Sequence, residues 1–146
     1  MDQSIECVAA ILPVRDLPTS LAFYTDLLGF RVDWQAHDSG VASVSRGRGS
    51  LMLCEGDQGH PGTWVWIGVH DVDALHTELV ARGVVIRHGP DNFVWAREMQ
   101  VADPDGNVLR FGSEPRAGEP DGTWLDMRGV RWIRGSDGRW TRDGAR

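Results

Sequence analysis

Seven tryptophans, five histidines and two cysteines are the most chemically distinctive side chains of this 146-residue chain. Histidine and cysteine do metal or nucleophilic chemistry only when several polar groups converge on one point. Here His37, His60, His70, His76 and His88 are scattered with no i,i+4 pair, and Cys7 and Cys54 lie far apart. His70 reads as a solvent-facing neighbour of an Asp71 helix cap, His76 as an exposed helix residue, and His60 as a loop residue before Pro61. There is no Gly-x-Ser-x-Gly elbow, no base beside Cys54, and Arg46-Gly47-Arg48-Gly49 reads as a tight turn, not a phosphate cradle. Tryptophan offers other chemistry. An indole is a broad plane whose stacking on an aromatic ligand adds about 0.5–1.5 kcal/mol beyond simple area burial.

The elements that must carry these rings repeat along the chain. Val14-Arg15-Asp16-Leu17, Ser20 to Tyr24 and Leu27 to Phe30 have a counterpart in Val69 to Val72, Ala74 to His76 and Leu79 to Val84. Asp16 and Asp71 are 55 positions apart, Gly29 and Gly83 54. Each copy predicts a strand (Ile11 to Val14; Trp64 to Val69), an Asp N-cap, an amphipathic helix and a Gly stop. Three strand-like runs follow each helix: 30–35, 41–46 and 50–55, then 84–88, 93–102 and 107–112. Asp103-Pro104-Asp105-Gly106-Asn107 predicts the turn of the last hairpin. Each half therefore reads βαβββ, with residues 58–62 as linker. Alternation along Trp64 to Val69 puts Trp64, Trp66 and Gly68 on one face and Val65, Ile67 and Val69 on the other, under the helix. Trp34, ending the second strand, and Trp95, in the long strand, are further candidates for the open face; core filling or a dimer contact is the alternative use of all four.

A formal charge of −6 and a pI of about 5.2 leave no basic surface for nucleic acid. No apolar run is long enough to span a membrane, and Met1 to Glu6 lacks a signal-peptide start. Two cysteines make no disulfide scaffold, so a reduced, cytoplasmic protein is expected. All fifteen basic residues are arginine, which carries no functional information.

Val-x-Asp-Leu, Ser-Leu-Ala-Phe-Tyr, Leu-Gly-Phe and the closing Asp-Pro-Asp-Gly-Asn resemble the glyoxalase/bleomycin resistance/dioxygenase (vicinal oxygen chelate) superfamily over residues 6–113. That resemblance implies two βαβββ modules whose curled sheets form a cup around a ligand or metal. The family's metal ligands would fall at Ala9, Trp64 and Arg110. A methyl, an indole and a guanidinium cannot ligate a divalent cation. Trp66 to His76, with Arg97-Glu98-Met99, is similar to the bleomycin resistance branch. That branch implies metal-free dimers that sequester planar, often cationic antibiotics between subunits, often exchanging the N-terminal strand. Aromatic side chains would hold the plane, and Asp33, Glu55 or Glu98 would attract the charge. Apart from ligand binding, Glu55 reads as a strand-end ion pair and Glu98 as a partner of Arg97.

The expected architecture is α+β, tandem βαβββ modules in a curled mixed sheet (1–113; modules 6–56 and 63–113) plus a C-terminal extension, 114–146. The extension carries Trp124, Trp132 and Trp140 and a Gly135 to Gly138 turn, which predicts a β-hairpin packed on the outside of the domain in preference to a lid on the cleft. The expected function is metal-free, cofactor-free and non-enzymatic: a homodimer sequestering an aromatic natural product, bleomycin-like or enediyne-like, and so conferring resistance. Its candidate ligand-binding residues are Trp34, Glu55, Trp64, Trp66, Trp95, Glu98 and Arg110. A metal-dependent dioxygenase or lyase of the same fold, or a metal-free biosynthetic enzyme, is the alternative.

Overall fold

Residues 3–144 are described by the structure, a computed structural model; the outermost residues of the two expected regions, 1–2 and 145–146, lie outside them. The first module runs β1 (Ala10–Pro13), α1 (Leu17–Ala22), a wide π turn (Phe23–Leu27), β2 (Arg31–Ala36), β3 (Val41–Arg46) and β4 (Gly49–Cys54). The second runs β5 (Trp64–Gly68), α2 (Val72–Ala81), β6 (His88–Asn92), β7 (Arg97–Ala102) and β8 (Val108–Ser113). Their strand orders are the same, β1-β4-β3-β2 and β5-β8-β7-β6, with β1 parallel to β4 and β5 parallel to β8. The internal repeat is thus a structural repeat.

Both helices start as the sequence predicts. Asp16 accepts from the Thr19 amide at 3.0 Å, and Asp71 from Asp73 and Ala74 at 3.0 and 3.1 Å. Gly83, at φ +91°, closes α2: its amide reaches the Val80 carbonyl and that of Val84 the Leu79 carbonyl. That cap accounts for one correction. Val84 belongs to the helix terminus and the core, not to a strand, and pairing starts only at His88. A second correction concerns 93–102. The Phe93 amide bonds the Ala96 carbonyl at 2.9 Å, so residues 93–96 turn the chain and Trp95 stands in a loop, not a strand.

One core joins the modules. Leu12, Val44, Leu51 and Leu53 of the first pack with Leu79, Met99, Leu109 and Phe111 of the second. Burying such side chains contributes about 1.5–3 kcal/mol each. Polar links reinforce the seam. The buried Tyr24 hydroxyl donates to Asp103 at 2.9 Å, Asn107 to the Pro13 carbonyl at 3.0 Å, and Arg46 forms a two-pronged contact with Glu78 at 2.8 and 3.0 Å. Each sheet therefore has a core side and an open side.

The extension is more than a hairpin: β9 (Trp124–Leu125), β10 (Arg131–Arg134) and β11 (Trp140–Arg142) form an antiparallel sheet in the order β11-β10-β9. Nor does it pack on the outside of the domain. Gln100, on the open side of the second sheet, donates to the Leu125 carbonyl at 2.9 Å, and the Gly122 amide donates to the Asn92 carbonyl at 2.7 Å. The strip crosses the open face because buried polar groups there need partners, and the strip's backbone supplies them.

Acid should loosen this fold. Asp16 is held below the usual carboxylate range by the Thr19 hydroxyl, Asp73 by the Arg97 guanidinium, and Glu78 by Arg46. Groups depressed in the fold stabilise it above their unfolded values, near ~4, and lose that effect as pH falls through the folded values. We expect a constant melting temperature from pH 7 to about 5 and a decline below about 4, shallower in Asp73→Asn. A melting temperature that rises on acidification would contradict this.

Candidate functional site

On β5 the alternation holds: Val65 and Ile67 pack on the core, while Trp64 and Trp66 face the open side. Across from Trp66 stands Arg110 on β8, and across from Arg110 stands Gln100 on β7. Trp66 does not stand up from the sheet. A Cβ on Gly112 would meet its ring at 2.8 Å and one on Gly68 at 3.1 Å, so the indole lies flat over two glycines of adjoining strands. Only glycine permits that approach. Trp66 is nonetheless 53% exposed, so the side of the indole away from the glycines is open.

Glu98 fixes the orientation. Its carboxylate, 3% exposed, accepts from Trp66 Nε1 at 3.2 Å, Trp95 Nε1 at 2.7 Å, and Arg110 Nε and Nη2 at 3.0 and 3.1 Å. Charge-assisted, multidentate contacts of this kind are the strong ones. The expected Glu98–Arg97 pair is absent because strand neighbours face opposite sides. Arg97 points to the helix side, onto Asp73 at 2.8 Å and Glu119 at 2.6 Å, and Glu98 to the open side.

The C-terminal sheet completes the face. Trp124 lies 6.1 Å from Trp64, 6.0 Å from Phe93 and 6.4 Å from Trp95, with the Arg110 guanidinium 4.8 Å over its ring. Trp95 stacks on Phe93 at 4.8 Å, and Trp140 leans on both at 6.1 Å. Arg87 sits 5.4 Å over Trp64. Trp95, Arg110, Trp124, Asp126, Trp132 and Trp140 line an open cleft of about 470 Å³.

Five of the seven residues singled out from sequence are therefore neighbours: Trp64, Trp66, Trp95, Glu98 and Arg110. Trp34 and Glu55 are not among them. A bulge between Val32 and Trp34 puts Trp34 opposite Ser43 on the open side of the first sheet, 46% exposed, with Asp33 on Ser45 at 2.7 Å. Glu55 follows β4 and, contrary to the strand-end expectation, forms no ion pair among the described residues. Sequence reasoning places Gly68 on the open face without giving it a role, and misses Gly112, Phe93, Asp126 and the position of the three tail tryptophans. The signal for the glycines was present: each stands two residues after a large open-face side chain, Trp66 or Arg110.

The family's metal does not fit here. Of the positions where the resemblance would put its ligands, Arg110 has its charge committed to Glu98, and Trp64 lies under Arg87. His88 Nε2 is engaged by the Thr123 carbonyl at 2.6 Å and by Asp91 at 2.8 Å. No helix among the described residues is long and apolar enough to cross a membrane.

Comparison with known proteins agrees with this architecture. No curated protein matches the sequence. Among solved structures, TnmS3, an antibiotic binding protein from Streptomyces sp. CB03234, is 29% identical with a TM-score of 0.66, over 79% of this chain and 100% of that one. The bleomycin resistance determinant encoded on transposon Tn5 is 22% identical, TM-score 0.66, over 75% and 98%. Lactoylglutathione lyase from Agrobacterium tumefaciens is 19% identical, TM-score 0.63, over 76% and 96%. The sequence profile of one family matches residues 5–111, and the chain belongs to it: the Glyoxalase/Bleomycin resistance protein/Dioxygenase superfamily.

Proposed function

We propose that this protein binds and sequesters an aromatic natural product, antibiotic in character, without metal or turnover. The observation that carries the reading is the Trp66 indole, laid on Gly68 and Gly112, tethered by Glu98 and open on its outer surface. A rigid, pre-oriented plane stacks on a flat ligand at little entropic cost. Glu98, the carboxylate that holds the ring, is already engaged by four donor groups. The likeness to an antibiotic binding protein supports the same reading.

The reading includes a homodimer in the cytoplasm. Both cysteines are free, and Val32 and Trp34 expose apolar surface on the first sheet. Sedimentation equilibrium should return twice the 16.2 kDa chain mass; a monomer in the presence of ligand overturns that part.

Trp66 tests the function. Titrating an antibiotic panel that includes bleomycin and an anthraquinone-fused enediyne should quench tryptophan fluorescence. Trp66→Ala should weaken the binding by about 2 kcal/mol or more, and Trp66→Phe by less. Because the ring is half exposed, Trp66→Ala should melt close to the parent. Chemical conversion of a bound compound, or binding indifferent to Trp66→Ala, overturns the reading.

A further inference from the structure

The cleft beside Trp66 has a shape of its own. Its indole planes are not parallel: Trp95 and Trp140 meet at 52° and Trp95 and Trp124 at 71°. Parallel walls sandwich a flat polycycle; tilted walls make the corner of a box. Indole faces carry the negative lobe of the ring quadrupole, so a box of them attracts diffuse positive charge.

The lining holds two charged side chains, Arg110 and Asp126, of which only Asp126 lacks an ion-pair partner among the described residues. Arg110 is neutralised by Glu98 at 2.9 Å, and its guanidinium plane lies over Trp124. On the Trp face of this sheet Arg134, paired with Trp140, is engaged by Asp121 at 3.2 Å, and Arg142, paired with Trp132, is exposed. Arg87, which donates to the Asp126 backbone carbonyl, lies over Trp64, and none of the three lines the cleft. That leaves Asp126. Its Oδ1 accepts the Arg128 and Val130 amides, both at 2.9 Å, and its Oδ2 accepts Trp132 Nε1 at 2.8 Å, keeping spare acceptor capacity. The Trp132 donor and these amides also hold the carboxyl below its ordinary range, hence ionised.

We propose that Trp95, Trp124, Trp132 and Trp140 form a box for an alkylated ammonium group, with Asp126 as its counter-charge. A primary ammonium or a guanidinium needs several acceptors, and this lining offers one carboxylate; a trialkylated nitrogen needs none and gains from apolar walls. The cleft of about 470 Å³ exceeds such a head group, which is therefore one end of a larger molecule. Trp95 and Trp66 donate to the same Glu98 oxygen, so a ring stacked on Trp66 and an ammonium in the box fit one ligand. The proposal rests on the small-molecule reading above and specifies its ligand class.

The test titrates the full-length protein with choline and with 3,3-dimethylbutan-1-ol, its neutral isostere, by tryptophan fluorescence. Choline should bind at least about tenfold tighter than the isostere. Asp126→Asn should weaken choline about fivefold, and Trp140→Leu about tenfold. Trp140 takes no part in the Asp126 hydrogen bonds, so this variant remains decisive if Asp126→Asn disturbs the small sheet. Equal binding of choline and isostere, no binding of choline, or indifference to Trp140→Leu overturns the box. Should antibiotics still bind through Trp66 in that case, the sequestration reading survives alone. Should choline bind while every antibiotic fails, the box survives and that reading falls.

Discussion

Replacing Glu98 by alanine is expected to cost about 3–5 kcal/mol of stability, as removal of one partner of a buried ion pair does. The carboxylate is 3% exposed and is the common acceptor of Arg110, Trp66 and Trp95. Its loss strands the Arg110 charge beneath the C-terminal sheet and frees both indoles from their acceptor. Glu98→Gln keeps the volume and one acceptor oxygen but leaves Arg110 uncompensated, so it should cost about 1–3 kcal/mol. Urea unfolding gives the energies, and a red-shifted tryptophan emission under native conditions reports the released rings. An Ala variant within about 1 kcal/mol of the parent would mean that the network positions the rings without stabilising the fold.

How the sequence anticipated this face, and where it fell short, follows from the range of the interactions. The repeat was legible because each unit is local: an Asp cap, a helical period and a Gly stop lie within about fifteen residues, and each terminus has its own hydrogen bonds. The open side of β5 was legible for the same reason, since a period of two needs no partner. The Glu98 partner was not, because adjacency suggested Arg97, whereas the pleat sends Arg97 to Asp73 and Glu98 across the sheet to Arg110. Trp95 was misread as strand because Phe93-Val94-Trp95-Ala96 is as apolar as any strand; the tight bond from Phe93 to Ala96 is invisible to composition. The tail was hardest. Its docking depends on His88, Asn92 and Gln100 offering polar atoms to backbone more than twenty residues later, and no periodicity encodes that.

Trp124 decides whether that tail is a separable layer. Among the described residues the core cluster has no buried member beyond Phe111, and Leu125, at 9% exposed, is the one buried hydrophobic residue of the tail. Trp124, by contrast, is wedged among Trp64, Phe93, Trp95 and the Arg110 guanidinium. Trp124→Ala should therefore remove about 3 kcal/mol, the lower end for an incompletely buried tryptophan, from the docking of 114–142 and little from the two modules. Residues 116–122 stay tied by Asn92 and by the Arg97–Glu119 pair. The strands beyond them keep, against the modules, the Trp140 contact and hydrogen bonds to the Thr123, Leu125 and Asp126 carbonyls, the latter roughly 1 kcal/mol net each, too little to hold three strands closed. Limited proteolysis should then cut the variant between residues 114 and 130 and leave a resistant fragment carrying both modules. Its main melting transition should stay close to that of the parent, while its Trp64 and Trp95 emission shifts towards that of solvated indole. A single transition lowered by ten degrees or more, roughly 3 kcal/mol spread over the whole fold, with no early cleavage, would show instead that the C-terminal sheet folds as one cooperative unit with the modules.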